Sequence, residues 1–123
     1  MSNEYVEVYV TDLGENFAAC FTAMADEVHA NSRNTGWWDE DRNNGEMIAL
    51  MHSELSEALE GLRHGNPSDD HIPEFSSVEA ELADVVIRIM DMAVARRLRV
   101  AEAIVAKHLY NRNRPHKHGG KAF

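Results

Sequence analysis

Apolar residues recur along most of this chain at intervals of three and four positions, which is the spacing of one face of an α-helix. In the first such stretch Phe17, Phe21 and Val28 fall on one face. The three prolines lie outside the periodic stretches, so none of them interrupts a helix. The pattern predicts an all-α fold with helices over about 13–31, Gly45 to Arg63, 77–97 and Val100 to Asn111.

Local signals mark the ends of the second and third predicted helices. Gly65-Asn66-Pro67 is a helix stop, because glycine and proline both interrupt helical backbone. Residues 64–76 are interpreted as a polar connector, with a lid or an interface loop as the alternatives. Ser76 or Ser77 can cap the third helix, and with Ser76 as the cap, Glu79 takes the capping-box position.

The first twelve residues carry a weaker signal. Tyr5 to Val10 is a short β-branched and aromatic run, which fits a strand or an arm that contacts a partner. Thr11 or Asp12 then offers an N-cap for the helix that follows. The first helix is therefore predicted to begin after these residues.

Two pairs of acidic residues, Glu54 with Glu57 and Glu81 with Asp84, lie within the second and third predicted helices. The members of each pair are three residues apart, which makes them neighbours on one helix face. Both pairs border the apolar stripe of their helix, so packing the two helices side by side would bring four carboxylates together. Four carboxylates repel one another unless a cation lies among them, and such oxygen-rich sites suit Mg²⁺. The alternative is a solvated helix face, which is common for either pair alone.

The apolar stripes of these two helices are predicted to form the core. Arg88 follows Asp84 by one turn and precedes Asp91, so it can pair with either acid. The stripe of the second helix comprises Met47, Met51, Leu55, Ala58 and Leu62, and that of the third comprises Val78, Leu82, Val85, Val86, Ile89 and Ala93.

The order Glu54-x-x-Glu57, a gap of 23 residues, then Glu81-x-x-Asp84 resembles the signature of the MazG-like nucleotide pyrophosphohydrolases. The similarity extends from about Gly36 to the C-terminus, and the basic tail looks like the closing segment of a phage-like branch of that family. The length indicates a single domain over residues 1–123. For this domain the resemblance implies an all-α, MazG-type protomer like a four-helix bundle, packed as a homodimer or homotetramer.

The resemblance implies an activity as well. Members of this family hydrolyse nucleoside triphosphates to a monophosphate and pyrophosphate, cleaving between the α- and β-phosphates, and they contribute to the control of nucleotide pools. They use Mg²⁺, for which Mn²⁺ can substitute. The four acids would then be the metal ligands and catalytic groups, with Glu54 as the candidate to accept the proton of the attacking water.

Basic residues concentrate near the C-terminus. Lys107, Asn111 and Arg114 are spaced to share one helix face for as long as the helix continues. They are candidates to hold the departing pyrophosphate, opposite the metal, with Lys107 also counted among the catalytic groups. A solvated basic helix end is the alternative.

Trp37 and Trp38 stand together in a predicted loop rich in Asn, Gly and Asp. The structural interpretation is that they hold the loop on the core or fill a subunit interface. The functional interpretation is a stacking surface for a nucleobase, because every base has a π-face. Both residues are therefore candidate substrate contacts.

Composition excludes several classes of protein. The formal net charge of -9 argues against binding to nucleic acid or to an anionic membrane, either of which requires a basic surface. The single cysteine excludes an internal disulfide, and no signal peptide is recognisable, so a reducing cytoplasm is the expected location.

Two other functional classes fit an acidic helical chain. A carboxylate-bridged di-metal bundle would usually contain Glu-x-x-His pairs, and this chain has none. A non-catalytic helical interaction module, with acids that serve only solubility, is the second alternative.

Overall fold

The computed structural model describes the backbone of residues 3–113 and the side chains of residues 11–113. In this part of the chain there are four α-helices and no β-strand, apart from one isolated bridge between Ser68 and Ser76. The all-α prediction is confirmed. The helices are α1 (Asn3–Asn34), α2 (Asn44–Arg63), α3 (Ser77–Arg96) and α4 (Val100–Arg112).

The prediction for the N-terminal residues is wrong. The helix α1 begins at Asn3, so Tyr5 to Val10 is neither a strand nor an extended arm, and Thr11 and Asp12 lie inside the helix. A short apolar run is compatible with either helix or strand, and here it continues the helix that follows. The other three helices match their predicted bounds to within one residue.

Side-chain caps begin the two helices that carry the acidic pairs. The side chain of Asn43 accepts a hydrogen bond from the backbone N–H of Glu46 at the start of α2. Ser76 and Glu79 form the predicted capping box at the start of α3. The helix α2 ends before Gly65, whose φ of +81° is a left-handed conformation that glycine adopts without strain.

The chain divides into two compact units. The first contains α1 up to Met24 together with α4, which lies beyond residue 97. Within this unit Phe21 and Ala101 are buried, and Gly14 lies against Val105 so closely that a Cβ would come within 2.7 Å of its Cγ1. The glycine in the middle of α1 thus permits a close approach of the two helices of this unit.

The second unit, Ala25–Arg97, is built on the packing of α2 against α3. Small residues line the contact, and a Cβ on Gly61 would lie 2.6 Å from the hydroxyl oxygen of Ser77. Close approach of the helix backbones brings acidic side chains of facing helices within reach of one another. The buried apolar residues of this unit are Ala25, Met47, Ala58, Ala80, Met90 and Ala93.

The predicted core stripes are only partly correct. Leu55 and Leu62 on α2, and Leu82 and Val86 on α3, are all exposed. Glu54 is buried instead, because the face of α2 that is covered runs through Met47, Glu54 and Ala58 rather than through the leucines. The described part of the chain therefore leaves a leucine-rich surface without a cover.

None of the helices in the described residues is long and apolar enough to span a membrane.

Candidate metal centre and adjoining cleft

Three of the four predicted acids converge. One carboxylate oxygen each from Glu54, Glu57 and Glu81 lies within 4.8 Å of the other two. Helical spacing puts Glu54 and Glu57 on the same face of α2, and the packing of α3 against α2 brings Glu81 to them. We call these three residues the carboxylate cluster.

Negative charge is distributed unequally over the carboxylate cluster. Hydrogen bonding to Glu54, together with burial and the charge of Glu57, raises the pKa of Glu81 to about 8. Burial also acts to raise the pKa of Glu54, but hydrogen bonds from Glu81 and Arg88 outweigh it and lower that pKa overall. At neutral pH the cluster therefore retains a proton on Glu81 while Glu54 stays ionised.

One oxygen of the cluster is poorly satisfied. Glu81 Oε2 is buried, and no donor group among the described residues forms a hydrogen bond with it. Its close neighbours are carboxylates, which only accept hydrogen bonds when ionised. Such an oxygen is stabilised either by a retained proton or by a bound cation.

Arg88 pairs with the buried member of the cluster, not with Asp84 or Asp91 as the sequence suggested. Its Nε and Nη2 donate to Glu54 Oε1 at 3.0 and 2.9 Å. This pair crosses from α3 to α2. Because Glu54 is the buried charged residue of the unit, the arginine offsets much of the cost of burying that charge.

The donor set fits a hard divalent cation. Oxygens on opposite sides of one Mg²⁺ lie about 4.2 Å apart, twice the usual Mg–O distance of about 2.1 Å. Only one pair among three ligands can lie on opposite sides of the ion, and neighbouring ligand oxygens lie about 3 Å apart. The cluster oxygens, within 4.8 Å of one another, must therefore move closer together to share such an ion. All three ligands are carboxylates, the chemistry that Mg²⁺ and Mn²⁺ prefer over nitrogen or sulfur.

Asp84 lies beside the carboxylate cluster but is not one of the three converging groups. Burial raises its pKa, and the charge of Glu54 acts in the same direction. Asp84 and Glu54 both line the cleft described next. Its role as a fourth ligand stays a prediction.

A cleft of about 440 Å³ opens beside the carboxylate cluster. Its wall combines two arginines with apolar and acidic side chains, so both an aromatic or apolar group and an anionic group find complementary surfaces there. The lining includes Asn31, Trp37, Arg42, Leu50, Glu54, Asp84, Ile87, Arg88 and Asp91.

The two tryptophans differ in what they contact. Trp37 lines the cleft, is 49% exposed, and has the guanidinium groups of Arg42 and Arg88 within 5.0 and 5.6 Å of its ring. Trp38 is half-buried, and its indole N–H donates to both carboxylate oxygens of Asp91 at 3.0 and 3.1 Å. The loop is thus held by Trp38, whereas Trp37 presents a ring to the cleft.

Asp91 is a structural centre that was not among the predicted site residues. It accepts hydrogen bonds from Ser32 at 2.8 Å and from Trp38, and it lies 2.7 Å from Nδ1 of His29. These partners bring α1, the tryptophan loop and α3 together at one carboxylate. The sequence signal for Asp91 was its position two turns beyond Asp84, a spacing that puts both acids on the same helix face.

The predicted phosphate contacts that the structure describes lie in a different unit from the carboxylate cluster. Lys107 and Asn111 lie on α4, in the first unit, and Lys107 is exposed with its ammonium group 5.0 Å from the ring of Tyr110. The carboxylate cluster lies in the second unit. Arg114 lies outside the described residues. The role of all three in substrate binding stays a prediction.

No family model, no curated protein and no solved structure matches this chain. The geometry of the second unit and the resemblance of the acidic motif are therefore the features that bear on a function.

Proposed function

We propose that the protein is a Mg²⁺-dependent nucleoside triphosphate pyrophosphohydrolase of the MazG-like type. The observation that supports this most is the convergence of Glu54, Glu57 and Glu81 from two helices beside a cleft that also contains Trp37 and Arg88. Cation ligands, an aromatic ring and a guanidinium group are the contacts that a metal-bound nucleotide requires. The products would be a nucleoside monophosphate and pyrophosphate, and the role would be control of the nucleotide pool.

The acidic residues have distinct roles in this proposal. Glu57, Glu81 and Asp84 hold the cation together with Glu54. A bound Mg²⁺ supplies charge neutralisation of the phosphates and a lower pKa for a coordinated water. Glu54 remains ionised at neutral pH because its pKa is lowered, so we assign it, when it is not fully used as a ligand, to accept a proton from the attacking water.

The substrate is held by groups of two kinds. Trp37 stacks on the base, and Trp38 supports the loop that presents it. Lys107, Asn111 and Arg114 contact the pyrophosphate leaving group, where positive charge and N–H donors stabilise the negative charge that develops during cleavage.

The decisive experiment is a hydrolysis assay. The protein is incubated with each of the common nucleoside and deoxynucleoside triphosphates in Mg²⁺, and the products are resolved by chromatography. We expect a monophosphate and pyrophosphate from at least one substrate and no turnover in EDTA. Release of orthophosphate, or the absence of any turnover, would reject the proposal.

Variants connect the activity with the carboxylate cluster. Glu57→Gln and Asp84→Asn should each abolish turnover, because each removes a negative ligand of the cation while preserving the size of the side chain. The matched control is Glu60→Gln on the same helix, whose carboxylate pairs with Arg63 on the exposed surface. That control should retain wild-type activity, and full activity in the two cluster variants would show that the acids serve another purpose.

A non-catalytic interaction module is the second candidate function. The exposed leucines of α2 and α3 favour it, because they offer an apolar surface on which a partner helix can pack. An inactive protein that binds no divalent cation would support this candidate. A carboxylate-bridged di-metal centre has less support, since the cluster found among the described residues contains no histidine.

A further inference from the structure

The guanidinium group of Arg88 is bound to a carboxylate that a cation would also use. Both of its hydrogen bonds to Glu54 end on the same atom, Oε1. Glu54 belongs to the carboxylate cluster, so the arginine and a divalent cation have the same anionic partner. Two cations on one carboxylate weaken each other's binding, because their positive charges repel each other.

Arg88 also faces the cleft. Its guanidinium carbon lies 5.6 Å from the centre of the Trp37 ring, and its side chain retains 28% of its exposure. The two hydrogen bonds that it donates among residues 11–113 use Nε and Nη2. The group therefore lies between the carboxylate cluster and the space in which the proposed substrate binds.

A guanidinium group suits phosphate oxygens as well as it suits a carboxylate, because its planar N–H donors match either pair of oxygens. We infer that Arg88 exchanges partners, pairing with Glu54 in the cation-free protein and binding a phosphate of the triphosphate once a divalent cation has taken Glu54. The inference rests on the proposed function for the identity of the substrate. It assigns a phosphate contact in the second unit, in addition to the predicted contacts on α4.

The first test measures cation binding without any nucleotide. Free Mn²⁺ is counted by electron paramagnetic resonance during titration of the wild type and of Arg88→Gln. The variant should bind Mn²⁺ on the order of ten-fold more tightly, since a positive charge a few ångströms from a divalent ion is removed. The matched control Arg63→Gln removes the same charge from the exposed surface of α2 and should leave Mn²⁺ affinity unchanged.

The second test measures phosphate binding. Each protein is first saturated with Mn²⁺, and inorganic triphosphate bound to Mn²⁺ is then titrated by calorimetry, so that the result depends neither on cation affinity nor on the nucleobase. Arg88→Gln should bind this complex about ten- to a hundred-fold more weakly, the usual effect of losing a charge-assisted contact to an anion. Arg88→Lys keeps the charge but loses the planar pair of donors, so its affinity should lie between those of the other two proteins.

The two measurements move in opposite directions, and a purely structural salt bridge would not produce that result. A misfolded variant would lose affinity for both ligands. Far-ultraviolet circular dichroism checks that Arg88→Gln is folded, with the charge-preserving Arg88→Lys as the comparison. Unchanged or weaker Mn²⁺ binding in a folded Arg88→Gln overturns the exchange, as does unchanged triphosphate binding. Either result leaves hydrolysis by the wild type intact, so failure of the exchange is distinguishable from failure of the proposed function. A wild type that binds no Mn²⁺ overturns both.

Discussion

Glu54 and Glu81 are the same residue type and lie in one cluster, yet their pKa values move in opposite directions. Glu54 has a guanidinium partner that favours its ionised form. Glu81 has carboxylate neighbours, so its protonated form is favoured. The hydrogen bond from Glu81 and the guanidinium group of Arg88 together therefore keep Glu54 the ionised member of this pair.

The raised pKa of Glu81 predicts how the stability of the cation-free protein depends on pH. The folded protein keeps a proton up to a pH of about 8, whereas the unfolded chain loses it near 4.5. The stabilising contribution is therefore complete below 4.5 and is lost as the pH rises through about 8. Urea denaturation in EDTA at several pH values from 5 to 8 should show the free energy of unfolding falling with pH. Glu81→Gln should flatten this dependence.

The control for that measurement is Glu60→Gln, which removes an exposed carboxylate and should keep the wild-type slope. Glu54 contributes little to the slope in this range, since its pKa is lowered and both folded and unfolded forms are ionised above pH 5. Equal slopes in the wild type and Glu81→Gln would mean that the proton is not retained on Glu81.

The tryptophans predict a contrast between two single variants. Trp37→Ala should raise KM by about ten- to a hundred-fold, because stacking on a base contributes roughly 1–3 kcal/mol. Its kcat should change less, since stacking acts in the ground state and the transition state alike. Trp38→Phe should instead lower the melting temperature, because it removes the indole N–H that donates to Asp91. The reverse pattern would exchange the two roles.

At the scale of elements, the approach of α2 to α3 depends on small residues and on Gly61. The close contact positions Glu81 against Glu54 and Glu57, and it leaves the leucines of both helices at the surface. The same packing thus explains two features that look unrelated in the sequence, the buried acid and the exposed apolar residues.

Asp91 links three elements, so its replacement should affect more than one of them. Asp91→Asn replaces one acceptor oxygen by an NH₂ group, which meets the donors of Ser32, His29 and Trp38. We expect a loss of about 1–3 kcal/mol of stability, the usual cost of an unsatisfied buried donor, with a change in tryptophan fluorescence. Thermal denaturation should show no comparable loss for Asp70→Asn, an exposed aspartate of the connecting loop. An unchanged melting temperature for Asp91→Asn would show that the contacts are not stabilising.

At the scale of the whole molecule, the uncovered leucines predict assembly. Leu59 and Leu62 on α2 are 51% and 57% exposed, and the exposed residues of α3 include Leu82 and Val86. An apolar surface of this kind is stabilised by a second copy, and identical chains usually associate with two-fold symmetry. Light scattering at micromolar concentration should report a multiple of the 13.9 kDa chain mass.

Charge placed on that surface should dissociate the assembly. Leu59→Lys and Leu62→Lys together should reduce the mass in solution to that of one chain, while helical content is preserved. The control is Leu98→Lys, the same change at an exposed leucine of the first unit. A wild type that scatters as a monomer would contradict the prediction of a homodimer or homotetramer.

Much of the local structure was predictable from the sequence. The bounds of α2, α3 and α4, the capping box of Ser76 with Glu79, and the spacing of the acidic pairs all depend on interactions within about four residues. The start of α1 was not predictable in this way, because a short apolar run supports two conformations and only its continuation into the helix distinguishes them.

Tertiary packing alone decided the chemistry of the candidate site. Glu54 meets Arg88 across 34 positions of the chain, and His29 meets Asp91 across 62. Nothing in the periodicity of either helix specifies such a pair, because periodicity identifies a face but not the neighbour that covers it. The sequence by itself determined that acids lie at the edge of an apolar face. The fold determined which acid is buried, which acid retains a proton and which basic side chain pairs with the buried acid, since these depend on distances between helices.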